Sequence, residues 1–182
     1  YYQKKISVFN MDTQGKQRID LAKEFTTKKF EAIGKKNHFL RVLAVLQDEF
    51  HVNDEELLIA AILHDTLEDT DTIYEEIEKI FSKSVADLVE EVSHPKNYNK
   101  EQKLEFYKKL RTISPKAKIL KLADFVDNLR VIEADRRKAD PKSIYHNYYI
   151  LLIRELLESY PESDAKNLVL KLTKELEFFV TQ

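Results

Sequence analysis

The chain has 182 residues, 43% of them apolar and 34% charged, and a formal charge of −2; this length supplies one domain with a sizeable core, and the charge indicates no DNA, RNA or anionic-membrane partner. The absence of cysteine excludes disulfides, thiolate catalysis and zinc–thiolate sites. Only 2 Gly and 4 Pro occur, too few for strands joined by tight hairpins, so the expected fold class is all-α.

Residues 1–15 lack a clear period and read as a lead-in to a single domain over residues 16–182. From Gln17, the positions Ile19, Ala22, Phe25, Phe30 and Ile33 mark a helix that ends near Gly34, a suitable residue just past a helix C-terminus. A second helix, with Phe39, Val42, Leu43, Val45 and Leu46, opens at or near His38. By itself that histidine reads as a cap or a surface group. Asn53 to Glu56 is an N-x-x-E start for a third helix, whose apolar run Leu57 to Leu63 leads straight into His64-Asp65-Thr66-Leu67-Glu68-Asp69-Thr70. If the helix continues, His64 and Glu68 share one side with Leu57 and Ala61, and Asp65 and Asp69 line the neighbouring stripe.

Ile73, Ile77, Ile80 and Phe81 predict a short amphipathic helix, and Val85, Leu88, Val89 and Val92 another that ends at His94-Pro95, read as loop. Residues 96–112 form a basic segment with a helical centre, either a solvated face or a cationic wall for a phosphorylated ligand. Ser114-Pro115 opens a helix that runs to about Ala134. On it Ala117, Leu120, Asp124, Asn128 and Val131 share a face, which sets a carboxylate and an amide among aliphatic neighbours and calls for a partner to Asp124. Asp127, three residues before Arg130, reads as half of a surface ion pair. Asp140-Pro141 repeats the cap-then-proline signal before Ile144, Tyr145, Tyr148, Leu152 and Leu156; Pro161 to Asp164 breaks that helix. A last one from about Ala165, with Leu168, Leu172, Leu176, Phe179 and Val180 on one stripe, closes the bundle. No apolar run is long enough to span a bilayer and no basic-then-apolar leader opens the chain, so the expected compartment is the cytoplasm. An oligomer is compatible with this reading.

One imidazole and three carboxylates within His64 to Thr70 are hard to explain as packing. A histidine on an apolar helix face is more often a core or surface group than a ligand, and acidic clusters at helix ends are usually solvated. Here, however, His64 and Asp65 follow the apolar run directly, where the helix faces the core, and a buried Asp without a partner costs several kcal/mol. An ion held by His38, His64, Asp65 and Asp124 would have two imidazoles and two carboxylates from three helices, a set suited to octahedral Mn²⁺ and less specifically to Fe²⁺, Co²⁺ or Zn²⁺. Such an ion acidifies water and polarises a phosphoryl group; Glu68 is placed to act on that water, with Asp69 as a second acid–base or steadying group.

His38, then His64-Asp65, then Asp124 resembles the H…HD…D pattern of the HD phosphohydrolase superfamily, whose members are helical and bind metal through those residues. The longer stretches His64 to Thr70, Lys121-Leu122-Ala123-Asp124 and Asn128-Leu129-Arg130 resemble the hydrolase domain of RelA/SpoT-type proteins and the single-domain small alarmone hydrolases, over roughly residues 17 to 135. The resemblance implies a single-domain helical HD-domain bundle, a Mn²⁺ on His38, His64, Asp65 and Asp124, and Glu68 and Asp69 serving the hydrolytic water. It also implies a phosphorylated-nucleotide substrate held by Asn128 and removal of the 3′-pyrophosphate of guanosine tetra- or pentaphosphate. Lys28-Lys29 stand near the family's Arg-Lys pair, and Tyr148, or Tyr149 beside it, stands in for a missing Trp-containing segment; these residues are expected to touch the nucleotide. The stretch before His38 is shorter than in the family and lacks its Pro-Tyr. Two other readings follow from that difference: an HD hydrolase for another phosphorylated nucleotide, such as a 2′- or 3′-phosphorylated dinucleotide, or a nucleotide-binding module without turnover.

Overall fold

A computed structural model describes residues 13–33, 37–136 and 144–178. Its organising element is α3 (Glu55–Leu63), in which every residue from Leu57 to Leu63 is buried. A helix apolar on all sides has to be surrounded, and α3 is packed by α1 (Thr13–Glu31), α2 (His38–Ala44), α6 (Lys83–Val92) and α8 (Pro115–Arg136). Around this centre lie α4 (Thr66–Asp69), α5 (Tyr74–Ile80), α7 (Lys100–Lys109), α9 (Ile144–Leu157) and α10 (Asp164–Phe178), the last against α8 and α9. Among the described residues there is no strand, and no helix is long and apolar enough to cross a membrane. The all-α expectation holds.

Local chemistry sets most of the helix starts. Ser114 accepts from the Ala117 amide at 3.2 Å ahead of Pro115 in the first turn of α8, as the Ser-Pro pair predicts. Asn99 and Gln102 form a reciprocal capping box on α7. For α3 the cap is Asp54, whose carboxylate accepts from the Leu57 amide at 3.0 Å, and not Asn53 as the N-x-x-E pattern suggests. A carboxylate at Asp54 additionally reaches Lys116 on α8, an attraction that a neutral Asn53 lacks. Helix α1 opens at Thr13, earlier than its apolar period, and α2 runs on into a π-helical turn at Val45–Glu49. Residues 1–12, Gly34, the Asp140-Pro141 cap, Phe179 and Val180 lie outside the described residues, as does the side chain of Tyr148.

The element that matters most for function is a break. The predicted helix does not continue through Glu68; α3 stops at Leu63, His64 and Asp65 form a turn, and α4 restarts at Thr66. Side chains take up the carbonyls there: His64 Nδ1 donates to Ala61 O (2.8 Å), Thr26 Oγ1 to Ile62 O (3.2 Å), Thr66 Oγ1 to Leu63 O (2.6 Å) and Ser93 Oγ to His64 O (3.0 Å). A helix end buried in the core needs such donors. Asp65 sits at φ −90°, ψ −5°, in the sparsely populated bridge region.

Candidate metal centre and hydrolytic site

His38 opens α2, His64 and Asp65 form the turn after α3, and Asp124 lies midway along α8. The fold brings all four together. His38, His64 and Asp65 each turn one ligand atom into a common place, these atoms lying within 4.8 Å of one another. Asp124 Oδ1 is 3.0 Å from His38 Nε2 and 3.8 Å from His64 Nε2; Asp65 Oδ1 is 3.1 Å from His64 Nε2 and its Oδ2 is 3.8 Å from His38 Nε2.

The hydrogen bonds on the far sides of both rings decide what these nitrogens can offer. A carbonyl only accepts, so His64 Nδ1, 2.8 Å from Ala61 O, carries a proton. His38 Nδ1 lies 2.6 Å from Asp127 Oδ2, a carboxylate that also receives Arg41 Nε at 2.7 Å and Nη2 at 2.9 Å, so that nitrogen too is the donor. In the neutral imidazoles both Nε2 atoms, 3.2 Å apart, are therefore lone-pair acceptors facing each other and two carboxylates. Four acceptors converging on one buried place fit a divalent cation, and N/O donors from three helices without a thiolate fit a borderline or hard one.

The electrostatics have the same cause. Burial opposes charge on His38, yet its hydrogen bonds to Asp124 and Asp127 push it up to about 10. Burial likewise works against a charged His64, but Asp65 raises it; burial also works against ionised Asp65, which His64 nonetheless pulls down to about 2. Asp124 is held well below the usual carboxylate range: burial opposes this, and Lys121 and His38 prevail. Lys121 Nζ, which donates to Asp124 Oδ2 at 2.7 Å, is in turn raised by Asp124 against its own burial.

Of the acidic residues after the turn, Glu68 is tied to His94. Glu68 Oε1 accepts from the His94 amide at 3.0 Å and Oε2 lies 3.2 Å from His94 Nε2. Burial raises the Glu68 carboxyl even though Lys121 and His94 pull it down. Asp69 follows it on α4, half-buried. His94, expected as plain loop, is thus the partner of Glu68, and its ring stacks on Tyr98 (5.4 Å, 12°) and meets Phe106 edge-on. A polar stretch before a proline gives no local sign of such a contact.

Asp127 is a correction. It is not paired at the surface with Arg130, which instead forks onto Glu49 at 2.6 and 2.8 Å; Asp127 is buried and faces His38 and Arg41. Asn128 Nδ2 donates to Asp124 Oδ1 (2.8 Å) and to Tyr149 Oη (3.2 Å), so Tyr149 is the aromatic next to the expected nucleotide contact. Lys28 pairs with Glu24 at 2.7 Å on the same helix, and Lys29 with Asp71 at 2.8 Å and Glu76 at 3.4 Å. In the basic segment, Lys108 pairs with Glu105 and Arg111 with Glu155, all largely exposed, while Lys96 Nζ donates to Thr70 O at the end of the acidic stretch.

A model of the HD domain family matches residues 19–148. The chain belongs to the HD-domain family. HD-domain membership implies a divalent metal, in agreement with the donor set. The chain is similar to guanosine-3′,5′-bis(diphosphate) 3′-pyrophosphohydrolase MESH1 of Drosophila melanogaster, 34% identical over 137 residues that make up 75% of each chain. It is 45% identical to the Xenopus tropicalis protein of the same name over 95 residues, 52% of this chain and 53% of that one. It is also 39% identical to the guanosine-3′,5′-bis(diphosphate) 3′-pyrophosphohydrolase of Aquifex aeolicus over 149 residues, which are 70% of this chain and 21% of that protein. The matched part of the HD-domain chain thus spans about half the frog protein and a fifth of the Aquifex one. In fold it is similar to the solved structure of a metazoan SpoT ortholog that hydrolyzes ppGpp, with a TM-score of 0.72 at 24% identity over 91% of this chain and 97% of that one.

Proposed function

We propose that this HD-domain chain is a Mn²⁺-dependent hydrolase that removes the 3′-pyrophosphate of guanosine tetra- and pentaphosphate, releasing GDP or GTP and pyrophosphate. The observation that carries the reading is the convergence of His38, His64, Asp65 and Asp124, with both imidazoles fixed as acceptors toward one point by Ala61 O and Asp127. The names of relatives matched across most of this chain supply the substrate class. These four side chains would hold the ion, and when bound it supplies Lewis-acid chemistry, acidifying water and drawing charge from a phosphoryl oxygen. The chain's own residues do the rest. Water adds to the phosphorus that carries the 3′ oxygen, its proton passes to the Glu68 carboxylate, and the ester bond to the 3′ oxygen breaks with that oxygen taking a proton. Half-buried Glu68, with its raised affinity for a proton, suits the first transfer, and Asp69 is the second acid–base group. Asn128, steadied by Asp124 and Tyr149, holds the nucleotide.

The test is a product assay with the purified chain and Mn²⁺ on guanosine tetraphosphate, a 3′-phosphorylated mononucleotide and a 2′-phosphorylated dinucleotide. GDP and pyrophosphate from the tetraphosphate are the expected products. Hydrolysis of only the other nucleotides overturns the substrate; retained binding with no turnover of any of them overturns the enzyme.

A further inference from the structure

We propose that Asp127, gripped by Arg41, is the positioning residue that fixes His38 as a metal ligand. This rests on the metal reading of the cluster and goes beyond it, because Asp127 is neither a ligand nor part of the hydrolytic pair.

The two imidazoles of the centre are oriented by different devices. His64 is set by its own backbone, through the Ala61 carbonyl three residues earlier. His38 is met from another helix. It is the first residue of α2, following Asn37 in a left-handed conformation (φ 64°), and its Nδ1 is met by a side chain from another helix, Asp127 Oδ2, at 2.6 Å. Asp127 is in turn caught by Arg41, one turn into α2, through a two-pronged contact at 2.7 and 2.9 Å. Arg41 and His38 thus sit on one helix and embrace a single carboxylate from α8.

This geometry does three things. It gives Asp127 a fixed cationic partner: Arg41 donates from Nε to Oδ1 at 2.7 Å and from Nη2 to Oδ2 at 2.9 Å, so the carboxylate stays an acceptor toward His38. An ionised carboxylate only accepts, so the proton of neutral His38 stays on Nδ1 and the Nε2 lone pair faces Asp65, His64 and Asp124. It also locks the ring plane, since a 2.6 Å bond on one side and the cluster on the other leave little freedom to rotate. Arg41 contributes by charge and fork; its own side chain is about half exposed, so it acts from the rim and Asp127 from the interior. Asp127 does this from a position three residues after the ligand Asp124 on α8, so one helix supplies both a ligand and the group that sets another ligand.

The experiment is calorimetric titration of the full, metal-stripped chain with Mn²⁺, in wild type, Asp127→Asn, Arg41→Ala and Arg130→Ala. An asparagine amide satisfies either tautomer of His38, so Asp127→Asn preserves the contact while releasing the choice; it is expected to weaken Mn²⁺ binding by roughly 10- to 100-fold, the scale seen when such supporting partners are lost. Arg41→Ala is expected to weaken it less, because the Asp127–His38 bond remains. Arg130→Ala removes only the exposed pair with Glu49 and leaves affinity unchanged. A second readout separates positioning from mere folding: in the zinc-loaded protein, proton–nitrogen NMR detects the His38 Nδ1 proton as a protected downfield resonance, which Asp127→Asn abolishes or shifts and Arg130→Ala leaves in place. Wild-type affinity in Asp127→Asn overturns the proposal, as does an equal loss in Arg130→Ala, which would mean general loosening of α8. A wild-type chain that binds no Mn²⁺ overturns the metal reading itself, and this proposal with it.

Discussion

Removing the Asp124 carboxylate tests the electrostatic design of the site independently of any metal. Asp124 is 5% exposed in its side chain and its Lys121 partner 12%, so the pair is an interior one. Two donors converge on this carboxylate, Lys121 Nζ at 2.7 Å and Asn128 Nδ2 at 2.8 Å, and His38 Nε2 lies 3.0 Å from it. In Asp124→Ala the ammonium loses its direct acceptor, and breaking a buried pair from one side costs about 3–5 kcal/mol. One effect opposes this: Asp65 and Asp124 repel each other across the cluster, and that repulsion disappears, so the lower end of the range is expected. For a chain of this size each kcal/mol corresponds to about 2–4 °C, giving a fall in melting temperature of about 6–12 °C for about 3 kcal/mol. The assay is thermal unfolding in excess chelator, so that loss of a ligand plays no part. Adding Lys121→Met to Asp124→Ala removes the stranded charge and should recover part of the loss, with a coupling above about 1 kcal/mol in the double-mutant cycle. A fall of less than about 1 kcal/mol, or strictly additive effects, would refute the assignment of Lys121 and Asp124 as a mutually dependent buried pair.

Glu68→Gln keeps the side-chain oxygen that accepts from the His94 amide while deleting basicity; the variant should retain Mn²⁺ and fold yet lose roughly 10²-fold in turnover, and either loss of metal or normal turnover contradicts the role given to Glu68. Asp54→Ala removes the α3 cap and should cost about 1 kcal/mol at neutral pH, read by denaturant unfolding. The Asp54 carboxyl is held below its ordinary 3.8, since the Lys116 and Leu57 hydrogen bonds outweigh burial. A lowered folded pKa means that this stabilisation is complete above the unfolded value and is lost as pH falls through the folded one. The gap between wild type and Asp54→Ala should therefore be constant above about pH 5 and narrow below pH 3.8; a gap that widens in acid would contradict this.

The amino-acid sequence by itself determined the helices and the chemical identity of the centre. Ser114-Pro115 opens α8 through a bond spanning three residues, Val85, Leu88, Val89 and Val92 are buried on α6 as their spacing predicts, and His38, His64-Asp65 and Asp124 are recognisable by type and order. Such features depend on groups a few positions apart along the chain or on a pattern of residue types, and both are visible in one dimension. The tertiary structure alone decided how buried donors and acceptors pair. The helix through His64 stops because Thr26 and Ser93, distant in sequence, supply donors to its last carbonyls. Asp127 leaves Arg130 for His38 and Arg41 because burial penalises an exposed-type pairing and rewards a carboxylate with every oxygen filled. Glu68 finds His94 beyond two intervening helices, and Lys29 finds Asp71 and Glu76 on other elements. A charge in the interior takes the nearest group that satisfies it in space, and which group that is depends on how helices cross, information that no local spacing contains.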